Sequence, residues 1–206
     1  NELPDVWRDW WTNNSAKSLY FIGKDNITFH AVTWPAELLG MGADFDARMG
    51  NPEPKDLILP YDVPANEFMN LEGRKISGSK NWAVWGLDAL DRYDSDTLRY
   101  YLTVAMPENR DTDWDWEDFF QRNNNELVAT WGNLVNRVLS FTWKNFEGKI
   151  PEPGELRQSD EELLDAIQVG FNSVGQLIER VELKAAIGES MRLATEVNKY
   201  LDVHAP

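Results

Sequence analysis

Apolar residues recur at helical spacing through the second half of the chain, and no other pattern in it extends so far. Phe120, Leu127, Trp131, Leu134, Val138 and Phe141 form one series. Leu163, Ile167, Phe171, Val174, Ile178 and Val181 form a second, and Ala185, Ile187, Met191, Ala194, Val197 and Leu201 a third. Three long amphipathic helices in succession predict an antiparallel helical bundle. The stretch Gly148 to Gly154, carrying Pro151 and Pro153, separates the first helix from the second.

The first half has a different grain. Ser18–Ile22 is a short apolar run that ends at Gly23, the pattern of a buried strand. Asn26 then suits the cap of a helix running to about Leu39 and closed by Gly40. A strand that ends in a glycine turn and opens onto a helix is the geometry of a ligand crevice in an α/β sheet. Residues 43–56, rich in Asp, Pro and Gly, predict a surface loop. Leu57–Pro60 and Glu67–Leu71 predict strands, with Glu72-Gly73 as a tight turn. Short helices follow at about Gly86–Arg92 and Ser95–Val104, the second with Ser95 as its cap and Leu98, Tyr101, Leu102 and Ala105 on one face. The expected fold class is α/β followed by all-α, divided at 112/113.

Composition narrows the class. Hydrophobic residues make up 42% of the 206 positions and include ten tryptophans, which argues for a packed core rather than an acidic disordered tail. No apolar run approaches the ~20 residues of a membrane span, and no N-terminal segment has the form of a signal peptide. Cysteine is absent, which excludes disulfides and thiolate metal sites. The expectation is a cytoplasmic protein with no membrane partner. A net charge of −15 counts against nucleic-acid binding, and splitting the chain does not help: residues 1–110 hold 17 acids and 11 bases, residues 111–206 hold 18 and 9.

Against that acidic background, Leu71-Glu-Gly-Arg-Lys-Ile-Ser-Gly-Ser-Lys80 gathers three cations, two hydroxyls and two glycines. Such a loop suits a polyanion, and a polar hairpin is its plain alternative. Upstream stands Tyr20-Phe-Ile-Gly-Lys-Asp-Asn-Ile-Thr-Phe-His-Ala-Val-Thr-Trp-Pro-Ala36; downstream stand Asp96-Thr-Leu-Arg-Tyr-Tyr101 and Asn109-Arg-Asp-Thr-Asp113. These blocks, in this order, resemble the class I aminoacyl-tRNA synthetases, and among them the methionyl-tRNA synthetase family. The resemblance runs from about Trp10 to Pro206. Lys75-Ile-Ser-Gly-Ser79 is similar to the family's Lys-Met-Ser-Lys-Ser signature, with Gly78 where a second lysine usually stands. The family's His-x-Gly-His turn and zinc knuckle have no counterpart here. The resemblance therefore implies the C-terminal part of a Rossmann-like catalytic domain (1–112) and a truncated anticodon-binding bundle (113–206), with an N-terminal half of the same enzyme as the missing partner.

The same resemblance assigns roles. Lys75, Ser77 and Ser79 would be catalytic, meeting the charge that builds on the ATP phosphates during adenylate formation. Lys80 or Arg74 would offset part of the missing cation at 78, and a solvated Lys80 is the alternative. Gly23 and Asp25, with Lys75 and Ile76, would bind ATP, Asp25 at the ribose; an Asx-turn or cap is the alternative for Asp25. Phe29, His30 and Trp34 would bind methionine, because a polarizable thioether sits well among aromatic rings. A satisfied core histidine is the alternative there. Asn133 and Arg137, four apart on a predicted helix, would read the tRNA anticodon, where amide and guanidinium groups bond exposed base edges; a solvated surface pair is the alternative. The acidic run 110–118 reads as a solvated linker, with Asp115 capping the next helix and the tryptophans packing between the two portions, in preference to a metal site.

The implied function is a ligase that charges tRNA(Met) with methionine through methionyl-adenylate, using ATP with Mg2+. This chain alone is expected to be inactive. The alternatives are another class I synthetase, for valine, isoleucine, leucine or cysteine, and a non-catalytic helical module that binds tRNA or a protein.

Overall fold

The computed structural model describes residues 6–204. It is a mixed α/β structure with two small sheets and a predominance of helix. Cα packing divides it into two compact units: the stretch up to Phe68 with Pro107–Asp111, and Met69–Met106 with Thr112 onward. This division differs from the one at 112/113, because strands on either side of that boundary pair within a single sheet.

In the first unit a short helix α1 (Trp7–Trp11) precedes strand β1 (Ile22–Gly23), which pairs in parallel with β2 (Ala65–Asn66). The predicted strand over 18–22 is thus reduced to its end, with Leu19 bridged to Asp62. Leu57–Pro60 forms no strand; it is an extended segment whose Ile58 amide donates to the Trp11 carbonyl (2.8 Å). After β1 the chain makes a 3-10 turn (Lys24–Asn26), so Asn26 lies inside a turn rather than capping a helix. A π-helical stretch, Phe29–Thr33, leads into α2 (Trp34–Arg48). Pro35 sits at the start of α2. A proline in a helix lacks the N–H and crowds the carbonyl four residues back, and a wider turn ahead of it relieves both problems.

Helix α2 does not stop at Gly40. It continues to Arg48, with one break at Gly42 (φ 48°, ψ −144°), a conformation that favours glycine. The predicted loop 43–56 is therefore helical in its first part. Its Asp46 is fully buried and accepts from Arg8 Nε (2.6 Å), Asn51 Nδ2 (2.5 Å) and the Lys55 amide (3.0 Å). A buried carboxylate persists only with such partners, which here tie α1 to the end of α2.

In the second unit, β3 (Met69–Leu71) and β4 (Arg74–Lys75) form a hairpin, and β5 (Thr112–Trp114) pairs with β3 in parallel. The predicted Glu72-Gly73 turn has positive φ at both residues (47° and 73°), as a two-residue hairpin loop requires. Asp113 accepts from the Gly73 amide at 2.9 and 2.7 Å, and the Glu72 amide donates to Trp114 O (3.0 Å). The run 110–118 is accordingly not a solvated linker. Trp114 is 4% exposed and joins Tyr101 (0%), Phe119 (1%), Leu71, Leu98 and Ala89 in the core. Trp114 stacks on Phe119 with ring centroids 5.4 Å apart, and Tyr101 meets both edge-on. Burial together with the Asp118 carboxylate pushes the Tyr101 hydroxyl up to about 12.

Helices α3 (Gly86–Leu90) and α4 (Ser95–Val104) stand where the pattern predicts them, although Asp94 rather than Ser95 occupies the cap position, and Leu102 is exposed. Asp115 does cap α5 (Trp116–Arg122), accepting from the Asp118 amide at 2.8 Å. A π-helical stretch (Asn123–Gly132) joins α5 to α6 (Asn133–Phe146). The chain then breaks at Glu147 and Gly148, both at positive φ, before α7 (Gln158–Glu179) and α8 (Leu183–His204). Asp160 meets Tyr200, Gly170 meets Leu193 and Ser173 meets Glu189, so α7 and α8 run in opposite directions. Among the described residues no helix is long and apolar enough to cross a membrane.

Candidate functional site

In the first unit, β1 delivers Gly23 in an extended conformation (φ −86°, ψ 152°) at the head of the 3-10 turn. A Cβ built there would meet nothing within 4 Å, so the protein's own packing does not demand glycine. Open space over a backbone this bare suits close approach by a ligand. Asp25 is exposed on the turn that follows and makes no capping bond.

Lys24, between these two, was not singled out from the sequence. Its ammonium meets Glu67 and Asp111 (3.0 Å to the latter) and lies over the Phe68 ring at 4.4 Å. The bond to Glu67, then that to Asp111, holds its pKa above the ordinary lysine value. Asp111 also accepts from the Phe68 amide (2.9 Å), which with Lys24 keeps it below the usual carboxylate range. Lys24 thus pins the Gly23–Asp25 turn to two other segments of its unit. Its place inside the Gly-Lys-Asp block was the only signal for it in the sequence.

Phe29, His30 and Trp34 come together as predicted, lining a cleft of about 410 Å³ with Tyr20, Thr33 and Glu37. His30 Nδ1 lies 3.1 Å from the Asn26 carbonyl. A carbonyl only accepts, so Nδ1 is the donor in this bond. Tyr20 packs against both His30 and Trp34, with ring centroids at 6.3 and 6.5 Å. Trp11 meets Trp34 edge-on at 6.2 Å. Neither Tyr20 nor Trp11 was picked out as a site residue, because nothing local relates their positions to a helix ten or more residues away.

In the second unit, Lys75 ends β4, and Ile76 and Ser77 lead into a 3-10 turn, Gly78–Lys80. Ser77 and Trp82 exchange backbone bonds (2.8 and 3.0 Å), closing the loop, and Asn81 turns it through a left-handed conformation (φ 50°). The hydroxyls of Ser77 and Ser79 stand 3.2 Å apart. Lys75, Ile76, Ser79 and Lys80 are exposed, and Ser77 is half-buried. The Arg74 guanidinium lies over Trp82, 3.4 Å from the ring centroid, while the Trp82 indole donates to Leu71 O (3.1 Å). Arg74 is therefore occupied in bracing the loop. A Cβ on Gly78 would lie 3.5 Å from Trp85, ordinary contact.

Asn133 and Arg137 open α6 in the same unit. Asn133 is exposed, whereas Arg137 pairs with Asp202 of α8 at 2.8 Å. Arg137 and Asp202, with Asn136, Phe141, Lys144 and Leu201, line a groove of about 760 Å³ between α6 and α8. Asn133 does not line it.

A glycine turn beneath open space, an aromatic cleft on the following helix and a hydroxyl-rich cationic hairpin are parts suited to nucleotide and amino-acid chemistry. Comparison with known proteins agrees on the class. The family model described as tRNA synthetases class I (M) matches residues 1–139, and the chain belongs to that family. The methionine–tRNA ligase of Thermomicrobium roseum is 55% identical over 203 residues, covering 98% of this chain and 33% of the relative. That of Chloroflexus aurantiacus is 50% identical over 206 residues, covering 98% and 34%. The chain thus spans about a third of the length of these curated relatives. Among solved structures, Mycobacterium tuberculosis methionyl-tRNA synthetase bound by methionyl-adenylate matches with a TM-score of 0.79 and 27% identity, over 100% of this chain and 37% of that one.

Proposed function

We propose that the chain is the downstream part of a methionine–tRNA ligase, which activates methionine with ATP and transfers it to tRNA(Met). The observation that carries this reading is the cleft of Phe29, His30 and Trp34 in a chain 55% identical to such a ligase. A thioether is soft and polarizable and gains from several ring contacts, whereas a branched aliphatic side chain needs no aromatic floor.

Within that reading, Gly23 gives the ATP backbone room and Asp25 accepts from the ribose hydroxyls. Magnesium enters with the ATP phosphates as part of the substrate. When the methionine carboxylate attacks the α-phosphate and pyrophosphate leaves, negative charge grows on the phosphate oxygens. Lys75 offsets it as a cation, and the Ser77 and Ser79 hydroxyls donate to it. Donors already fixed by a closed loop need no reorganisation as the charge develops, which is what lowers the barrier. Residues 113–206 serve as an anticodon-binding helical bundle, in which Asn133 and Arg137 face tRNA bases once Arg137 exchanges Asp202 for the nucleic acid. Residues 1–112 belong to the Rossmann-like catalytic domain, and the enzyme works in the cytoplasm.

Methionine-dependent ATP–pyrophosphate exchange by the full-length protein tests the reading, run in parallel with isoleucine, valine, leucine and cysteine. Exchange with methionine alone is the expected result, and Lys75→Ala should lower kcat by about 100-fold with the methionine KM little changed. Equal exchange with a branched amino acid overturns the methionine assignment. Unaltered exchange in Lys75→Ala overturns the loop's role.

A further inference from the structure

We infer that Tyr20 is a positioning and specificity-determining residue of the aromatic cleft, fixing the His30 and Trp34 rings that receive the amino-acid side chain. This inference rests on the reading of that cleft as the methionine site.

The cleft's other aromatic residues, Phe29, His30 and Trp34, all rise from one helical stretch, and a single helix cannot enclose a ligand by itself. Tyr20 comes from the strand side. It contacts His30 at 6.3 Å with the rings inclined at 45°, and Trp34 at 6.5 Å near edge-on (67°). Its own backbone is held on both sides: its amide donates to Asp62 O (3.1 Å), Leu19 bridges to Asp62, and the Ile22 amide donates to Pro64 O (3.0 Å). These backbone bonds on either side of the ring restrain it, so it is a fixed wall for the helix-borne rings.

The two neighbours need that wall to different degrees. Trp34 is also packed by Trp11 at 6.2 Å. His30 is tethered at Nδ1 to the Asn26 carbonyl (3.1 Å), which leaves rotation about that bond as its remaining freedom, and Tyr20 is the ring that limits it. Phe29, with no such brace, stands 61% exposed. The contacts of Tyr20 with His30 and Trp34 are made by its ring, so the ring carries the role. A wall of fixed position admits an unbranched chain and crowds a branched one.

The test is ATP–pyrophosphate exchange by full-length Tyr20→Phe and Tyr20→Leu proteins, with methionine and leucine as substrates. Tyr20→Phe should stay within about twofold of wild type in every constant, because it keeps both ring contacts. Tyr20→Leu should raise the methionine KM about tenfold, the loss of two aromatic pairs, leave the ATP KM unchanged, and narrow the preference for methionine over leucine. If Tyr20→Leu does not fold, Tyr20→Met fills the volume without a ring and carries the same expectations. An unchanged methionine KM and preference, or an ATP KM that rises equally, overturns the inference. A wild-type protein that exchanges no methionine overturns the site reading and this inference together. A wild-type protein that does exchange, beside a Tyr20→Leu protein with the same methionine KM and preference, overturns only the role of Tyr20.

Discussion

Replacing Trp82 with phenylalanine isolates what the cationic hairpin owes to its brace. The indole N–H donates to Leu71 O at 3.1 Å, and Arg74 lies 3.4 Å above the ring, so one side chain clamps both strands of the hairpin. Phenylalanine keeps an aromatic face but removes the donor. One hydrogen bond contributes about 1 kcal/mol, and the weaker attraction of the smaller ring for Arg74 adds about 0.5 kcal/mol. The sum, about 1.5 kcal/mol, corresponds to a fall in Tm of roughly 3–6 °C for a domain of this size. Thermal unfolding of the full-length protein followed by circular dichroism measures it. Catalysis should respond in one parameter. A looser loop presents Lys75 and Ser77 less often in the reactive arrangement, so kcat for exchange should drop about tenfold. The methionine KM should hold, since the aromatic cleft belongs to the other compact unit. Arg74→Met should reproduce part of the effect, and the double variant should cost less than the sum because the two residues share one contact. A Tm unchanged within 1 °C together with unaltered kcat would refute the clamp.

Other parts of the structure make equally definite demands. Gly78 has an ordinary φ and 3.5 Å to Trp85, so Gly78→Lys should leave Tm within about 2 °C and raise exchange kcat by adding a cation beside the phosphates; a fall in kcat at constant Tm would argue against that placement. Phe119, 1% exposed and in contact with five aromatic rings, should cost about 3–5 kcal/mol when changed to alanine, measured by urea unfolding; a cost below about 1 kcal/mol would contradict the assigned core. The Asp160 carboxyl is held below its ordinary value of 3.8, first by the Tyr200 hydroxyl and then by the Arg157 amide and guanidinium. A depressed carboxylate contributes stability that is complete above the ordinary value and is lost as pH falls through the folded value. Tyr200→Phe should therefore move acid unfolding to higher pH, as read by an acid titration of helicity; identical acid midpoints for variant and wild type would dismiss the pairing.

Periodic signals carried far, and single-residue punctuation carried less far. The three long helical series appear near where their spacing puts them, although the first is divided among α5, the π-helical stretch and α6, and Phe120, Trp131, Val138, Phe141, Phe171 and Ile178 of the predicted stripes stay exposed. The Asp115 cap also holds, because it depends on a bond within four residues, and so does the Glu72-Gly73 turn, whose amides are further held by Asp113 and Trp114. Gly40 as a helix stop was two residues early: the helix breaks at Gly42, and a further helical stretch runs to Arg48, where Asp46 meets Arg8, Asn51 and Lys55. The acidic run 110–118 hid a strand, because its charges look solvated until Asp113 is seen accepting from the Gly73 turn and Trp114 filling the core.

Residue types and spacing settled the chain's chemistry: which side chains are aromatic, which cationic, which hydroxylic, and which share a helical turn. His30 and Trp34 reach one cleft because four residues bring a helix back to the same side. Tertiary structure alone decided the supports. Tyr20 behind that cleft, Lys24 between Glu67 and Asp111, and Arg74 spent on Trp82 rather than left for a ligand all depend on where the backbone carries distant segments. Local patterns follow from bonds a few residues long. These pairings follow from where the fold of each unit brings other segments, and no spacing along the chain encodes that.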